Sequence, residues 1–120
     1  MLELYTNPMS PCAQKVRIVL AEKGLDWTPH QVSLKDKENL EPWYLALNPL
    51  GVVPTLVHNG MAVIESSIVC EYLDDTFPEH SLKPVDTYQR ARMRFWMKHV
   101  DVKLHPSCGA IQWPMVCLLY

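Results

Sequence analysis

The chain has 120 residues, 48% of them hydrophobic and 20% charged, with a formal net charge of −2 at pH 7. This composition is typical of a globular protein with one small core, and its charge balance gives no electrostatic reason to expect nucleic acid as a partner. No apolar run approaches membrane-spanning length, and the N-terminus has no signal-peptide pattern. The cysteines and histidines have no ligand or disulfide spacing, so we expect a cytoplasmic protein with reduced thiols and no metal.

The beginning of the chain predicts a strand, a helix and a second strand. Residues 2–5 alternate apolar side chains, as a strand does. The Ser10 side chain can accept a hydrogen bond from a backbone N–H group at the start of the following helix. Pro11 suits the first helical position because it has no N–H to leave unpaired. Gly24 suits the left-handed residue that ends such a helix. Residues 27–34 then predict a strand whose internal proline indicates that the strand lies at a sheet edge or is interrupted there.

The next part of the chain predicts a short helix, a hairpin and another helix. Residues 35–47 form a polar entry into a short helix. Asn59–Gly60 is a strong hairpin signal because both central residues of that turn need positive φ, so residues 55–58 and 61–64 should pair antiparallel. Residues 65–77 carry an apolar stripe at helical spacing. The order βαβαββα, a parallel βαβ unit followed by a hairpin and a helix, predicts an α/β layer fold.

A polar stretch predicts a linker at residues 79–86, between a first domain at residues 1–78 and a second domain that begins at residue 87. Asp86 can cap the helix that follows. One side of that helix is basic and the other is apolar, and a single helix cannot bury its own apolar stripe. We therefore expect the second domain, residues 87–120, to be incomplete or covered by a partner. The stripe consists of Met93, Trp96, Met97, Val100 and Leu104.

Ser10 and Cys12 are two potential nucleophiles at the start of the first helix. The exposed N–H groups and the dipole there favour an anion, and a hydroxyl that donates to a thiolate stabilises its charged form. Each residue also has an ordinary interpretation, Ser10 as a helix cap and Cys12 as a small buried apolar residue. Spacing alone favours the ordinary interpretation for both.

Other positions predict contacts with a peptide ligand. A cis bond at Pro54 would expose the backbone of Val53 for pairing with an extended peptide, whereas a trans proline at a strand edge is the alternative, and the sequence does not decide between them. Glu65 and Ser66 open the next helix. Ser66 can cap that helix, or the helix N-terminus can receive a carboxylate while Glu65 accepts from an amine. With Ser10, these positions indicate a small peptide that carries a thiol, a carboxylate and an amine.

Three motifs, in this order and spacing, resemble the N-terminal domain of cytosolic glutathione S-transferases, in particular bacterial members with theta- or zeta-like active sites. They are SPCAQKVRIVLAEKGL, LNPLGVVPTL and ESSIVCEYLDDTFPE. The resemblance covers residues 1–105, because YQRARMRFWMKHVDVKLHP is similar to the first helix of the family's all-helical second domain. It implies a thioredoxin-like domain that binds glutathione as co-substrate.

The resemblance also implies roles for individual residues. Ser10 matches the residue that holds the glutathione thiolate, which makes its capping and catalytic roles compatible. Val53, before the family's cis-proline at Pro54, matches the residue that pairs with the cysteinyl backbone of glutathione. Glu65 and Ser66 match the pair that grips the γ-glutamyl end.

Two further positions match less closely. Asn39 falls near a polar residue that holds the glycine end of glutathione. Cys12 matches a cysteine that lies beside the site in zeta-type members. The function implied is conjugation of glutathione to an electrophilic substrate in detoxification, by a homodimer when the chain is full-length.

Two alternatives stay open. Cys12 could form a mixed disulfide with glutathione, as in a thiol oxidoreductase, although Ala13 stands where a resolving cysteine would help. The chain could instead be a non-catalytic, transferase-like interaction module similar to the stringent starvation protein. Family members continue through further helices that shape the electrophile pocket and the dimer interface, so the resemblance implies truncation early in the second domain. We expect such a fragment to bind glutathione weakly and to turn over slowly.

Overall fold

The computed structural model describes residues 1–110 of the chain. A short 3₁₀ turn, Glu38–Leu40, precedes the second helix, and a π-helical turn, Val100–Leu104, continues the last one. The elements are β1 (Leu2–Thr6), α1 (Pro11–Glu22), β2 (Thr28–Gln31), α2 (Pro42–Leu47), β3 (Thr55–His58), β4 (Met61–Val63), α3 (Ser66–Thr76) and α4 (Thr87–His99). The predicted order βαβαββα, followed by a further helix, is confirmed.

The strands form one mixed sheet in the order β2-β1-β3-β4. β2 runs parallel to β1 at the edge of the sheet, as its proline predicted, and β3 runs antiparallel to β1 with Tyr5 opposite Thr55. β4 runs antiparallel to β3, with Leu56 opposite Val63. The last residues of β1 and β4 therefore lie beside the first residues of β3, at one end of the sheet.

Apolar side chains pack on both faces of this sheet, because successive residues of a strand point to opposite faces. Leu4 of β1 belongs to a cluster with α1 and α3, whereas Tyr5 packs against a smaller cluster that includes α2. The larger cluster consists of Leu2, Leu4, Val16, Leu20, Leu56, Val69 and Leu73. The smaller cluster consists of Val32, Tyr44 and Val53. The helices α1 and α3 thus share one face of the sheet.

Local sequence signals place the element ends correctly. Ser10 caps α1, and Pro11 is its first residue. Gly24 follows α1 with φ +61°, and the hairpin residues Asn59 and Gly60 have φ values of 51° and 83°. Each of these turns needs a residue that tolerates positive φ, which glycine and asparagine do at low cost.

The prediction that Ser66 caps α3 is wrong. Glu65 holds the cap position with φ 69°, and no side chain caps this helix end. Ser66 is already the first helical residue, so its hydroxyl is not placed to accept from the N–H groups of the next turn. The position at which α3 starts depends on where β4 ends and on the positive φ of Glu65. No local sequence motif indicates either of these.

Contacts divide the chain into two units, Met1–Ser81 and the residues from Leu82 onward. In the second unit, Asp86 caps α4 by accepting from the Gln89 N–H at 2.9 Å, as predicted. The large side chains Phe95 and Trp96 of α4 are exposed. Residues 111–120 of the predicted second domain lie outside the described residues. Within residues 1–110, no helix has both the length and the apolar character to cross a membrane.

Candidate functional site

Three segments with candidate site residues meet at the carboxyl end of β1. Ser10 begins α1 shortly after β1, and Val53–Pro54 immediately precedes β3, whose first residue lies opposite Tyr5. Glu65 and Ser66 follow β4, whose last residue pairs with the beginning of β3. Strand register therefore brings these three segments to the same end of the sheet. We call this region the site end of the sheet.

Ser10 is half-buried, and its hydroxyl oxygen accepts the N–H of Ala13 at 3.2 Å. This cap uses a lone pair and leaves the hydroxyl proton available. Among the residues that the structure describes, this proton has no hydrogen-bond acceptor. Ser10 can therefore cap α1 and donate a hydrogen bond to a ligand at the same time.

The loop between β1 and α1 is held by side chains that the sequence analysis did not identify. Arg17 of α1 donates to the Thr6 hydroxyl at 2.9 Å and to the Asn7 carbonyl at 3.2 Å. The Asn7 amide donates to the carbonyl of Val32 at 2.9 Å. These bonds tie the residues before Ser10 to α1 and to the segment after β2, so the position of Ser10 is fixed from two sides. An arginine in the second turn of a helix gave no specific signal for this role.

The Val53–Pro54 peptide bond is cis, which is the isomer that the resemblance implies. Val53 is 8% exposed, and its side chain packs in the smaller core cluster. Within the described part of the chain, neither the N–H nor the C=O of Val53 has a hydrogen-bond partner. Backbone groups near buried structure are nearly always paired, so this donor and acceptor are suited to pair with an extended ligand.

Glu65 and Ser66 form the N-terminal end of α3. The Glu65 side chain is exposed and makes no cap, and its carbonyl accepts the first intrahelical bond from Val69 at 2.8 Å. Ser66 is 7% exposed, and its hydroxyl has no partner in the described residues. Lys15 of α1 donates to the hydroxyl of Ser67 at 2.7 Å and so ties this helix end to α1. A helix N-terminus of this kind favours a carboxylate.

The two less closely matched residues have different surroundings. Asn39 is half-buried, and its amide donates to the Gly51 carbonyl at 2.7 Å, so it supports the loop before Val53. Cys12 lies in the first turn of α1 and is half-buried rather than part of the core. Across residues 1–110, no group of three or more histidine, cysteine or acidic residues is arranged to hold a metal ion.

The sequence profile of the family described as glutathione S-transferase, N-terminal domain, matches residues 9–76. Among curated proteins, Protein LigF of Sphingobium sp. strain SYK-6 is 42% identical over 114 residues, which cover 93% of this chain and 44% of LigF. Glutathione S-transferase 1 of Dianthus caryophyllus is 44% identical over 90 residues, which cover 75% of this chain and 41% of that protein. The fold, the site end of the sheet and these matches define a glutathione-transferase-type domain.

Solved structures agree with the sequence matches. The crystal structure of the beta-etherase LigF aligns with TM-score 0.79 over 84% of this chain and 42% of that chain. A glutathione transferase homologue from Sulfitobacter, solved with bound glutathione, aligns with TM-score 0.85 at 30% identity, over 91% of this chain and 52% of that chain. The chain belongs to the glutathione S-transferase family, has the thioredoxin-like fold of its N-terminal domain, and spans less than half the length of the curated relatives named here.

Proposed function

We propose that this chain binds glutathione at the site end of the sheet and promotes transfer of its thiolate to an electrophilic carbon. The observation that carries the proposal is the convergence of three groups there: the Ser10 hydroxyl with an available proton, the unpaired backbone of Val53, and the α3 N-terminus at Glu65 and Ser66. They correspond to the thiol, the cysteinyl backbone and the γ-glutamyl end of the tripeptide. Asn39, in the 3₁₀ turn Glu38–Leu40, donates to the carbonyl of Gly51 on the loop before Val53 and would bind the glycine end.

The chemical task of the site is to lower the pKa of the bound thiol. An ordinary cysteine thiol has a pKa of about 8.5, so little thiolate exists at neutral pH. A hydrogen bond to a charged group contributes about 1.5–3 kcal/mol, which corresponds to about 1–2 pKa units in favour of the thiolate. The N-terminus of α1 adds a smaller effect of the same sign. Ser10 and this helix end together are sufficient to make the nucleophile available near neutral pH.

The reaction forms a C–S bond between glutathione and the electrophilic carbon, while the leaving group departs with its electron pair and takes up a proton. No covalent bond to the protein is needed. Because LigF is described as a beta-etherase and is 42% identical to this chain, a carbon that bears an ether oxygen is the first electrophile class to assay. We infer further that the full-length protein is a homodimer, acts in the cytoplasm, and continues after the linker at residues 79–86 into an all-helical domain.

Calorimetric titration with glutathione between about pH 6 and 9 tests the proposal, because thiolate formation on binding releases a proton to the buffer. The variants are Ser10→Ala, which removes both the cap and the donor, and Ser10→Asp, which keeps the cap acceptor but has no proton to donate. We expect the wild type to release a proton near neutral pH. Ser10→Ala should shift the pKa of the bound thiol upward by about 1–2 units, and Ser10→Asp should shift it further, because its carboxylate also repels the thiolate.

Stability separates the two roles of Ser10. Ser10→Ala should cost about 1 kcal/mol of unfolding free energy through the lost cap, whereas Ser10→Asp should cost less. Loss of proton release in Cys12→Ala but not in the Ser10 variants would assign the chemistry to a thiol oxidoreductase. A folded wild type that binds no glutathione would contradict the proposal and favour the non-catalytic module.

A further inference from the structure

A closed ring of hydrogen bonds joins three buried side chains and the carbonyl of Val52, the residue before Val53. Its members are the side chains of Tyr44, Asn48 and Thr55 and the carbonyl of Val52. The three side chains belong to residues that are 0% exposed. Tyr44 and Asn48 come from α2 and its end, and Thr55 is the first residue of β3. The ring therefore connects α2 to both sides of the Val53–Pro54 pair.

The hydrogen-bond donors and acceptors of these groups allow one arrangement of protons in the ring. The Tyr44 hydroxyl lies 2.7 Å from the Val52 carbonyl, which can only accept, so Tyr44 donates there. Its single proton is then used, and the Thr55 hydroxyl must donate to Tyr44 across 2.9 Å. The Asn48 amide donates its two protons to Val52 at 2.8 Å and to Thr55 at 3.1 Å. Every buried donor in the ring has a partner, so the ring is a fully satisfied network.

The neighbouring backbone is bound in the same way. Asn39 donates to the Gly51 carbonyl at 2.7 Å, and the Asn48 side-chain oxygen accepts from the Leu50 N–H at 3.0 Å. Side chains thus occupy the carbonyls of both residues that precede Val53. Val53 is the residue of this loop whose N–H and C=O remain without partners in the described structure.

We propose that Tyr44, Asn48 and Thr55 are positioning residues that set the orientation of the Val53 backbone for glutathione, without touching glutathione themselves. The inference rests on the proposed function, in which Val53 pairs with the cysteinyl residue of the tripeptide. The ring binds the carbonyl of Val52, which precedes Val53, and the side chain of Thr55, which follows Pro54. Rotation of the Val53 peptide groups would therefore break at least one hydrogen bond of the ring and leave a polar group of a buried side chain without its partner.

Thr55→Val tests this inference with almost no change of shape, because valine replaces the hydroxyl by a methyl group. It removes the acceptor of Asn48 and the donor to Tyr44. Thr55→Ser keeps the hydroxyl and should keep the ring. Since a neutral hydrogen bond contributes about 1 kcal/mol net, we expect Thr55→Val to weaken glutathione binding about 5-fold or more, and Thr55→Ser to stay near the wild type.

A purely structural role would lower stability without moving the Val53 backbone. Asp74→Asn is therefore the control, because it disturbs a buried ion pair near the far ends of α1 and α3. The readouts are the glutathione dissociation constant, measured where each variant is fully folded, and the amide resonance of Val53 without ligand. We expect Thr55→Val to change both readouts, and Thr55→Ser and Asp74→Asn to change neither.

Different results would contradict the proposed function and the positioning role of the ring. A folded wild type without affinity for glutathione contradicts the proposed function, and the Val53 resonance then decides the positioning role alone. Glutathione affinity and a Val53 resonance that are unchanged in folded Thr55→Val would overturn the inference. Tyr44→Phe provides a second variant, since it removes one donor to Val52 but keeps the aromatic ring in the core. It should weaken binding less than Thr55→Val, because Asn48 still holds that carbonyl.

Discussion

A buried ion pair between α1 and α3 makes a quantitative prediction about stability. The Lys23 ammonium lies 2.9 Å from an Asp74 oxygen, and the two side chains are 0% and 2% exposed. Lys23 also donates to the carbonyls of Glu79 and His80 at 3.3 and 3.2 Å, and the Ser81 hydroxyl donates to the other Asp74 oxygen at 2.9 Å. The lysine protons and the carboxylate are thus well matched.

Asp74→Asn preserves the shape of the side chain but leaves the ammonium of Lys23 buried without its counter-charge. Removal of one partner of a buried pair costs about 3–5 kcal/mol, and the two remaining carbonyl acceptors place this case near the lower figure. The total free energy of unfolding of a small domain is about 5–15 kcal/mol. With a urea m-value of about 1–2 kcal/mol/M, a loss of about 3 kcal/mol lowers the unfolding midpoint by about 1.5–3 M.

The measurement is urea denaturation followed by circular dichroism, with Asp75→Asn as the matched control. Asp75 is the next residue of the same helix but is exposed, so its change should cost no more than about 0.5 kcal/mol. Lys23→Met should cost about as much as Asp74→Asn, because it leaves a buried carboxylate. The double variant Lys23→Met/Asp74→Leu should recover to within about 1–2 kcal/mol of the wild type. A double variant that loses the sum of the two single costs would refute this reasoning.

Two further predictions concern the loop before Val53 and the hydrogen-bonded ring. Gly51→Ala should destabilise the fold by about 1–3 kcal/mol in thermal denaturation, because Gly51 has φ +61° and a Cβ there would lie 3.0 Å from Leu40 Cδ2. Gly24→Ala is the control at the same φ with no atom within 4 Å, and an equal loss in both would remove the steric argument. Burial, the largest cause, raises the pKa of Tyr44 above its ordinary 10.0, so its contribution to stability is complete below pH 10.0 and is lost as pH rises through the folded-state pKa. Urea midpoints from about pH 9 to 11 should fall less steeply in Tyr44→Phe than in the wild type, and identical slopes would contradict this assignment.

Elements that depend on local chemistry could be predicted from the sequence. Asn59–Gly60 defined the hairpin because few residue pairs adopt two positive φ values, and Ser10 with Pro11 defined the start of α1. The mixed sheet also follows from the predicted βαβ and hairpin units, and its strand order places the segments of Ser10 and Val53 at the same end.

Features that depend on long-range contacts could not be predicted. Thr55 in a strand and Asn48 before a proline are ordinary residues, and only the three-dimensional structure joins them. Lys23 directly follows α1, and its partner Asp74 lies 51 residues away in the sequence with no pattern to identify it. Glu65 adopts φ 69° because the chain must turn from β4 into α3, and this conformation displaced Ser66 from the cap.

The same long-range contacts determine where the proposed ligand groups stand relative to each other. α1 provides Ser10 and α3 follows Glu65, and both helices run back from the site end of the sheet. Near that end Lys15 is bonded to Ser67, and near the other end Lys23 is bonded to Asp74. Buried charge pairs are a weak source of stability but fix the register of packed elements in some proteins. If the apolar double variant regains stability yet changes the Ser10 amide resonance, the ion pair sets helix register; if the resonance is unchanged, packing and the Lys15–Ser67 bond are sufficient.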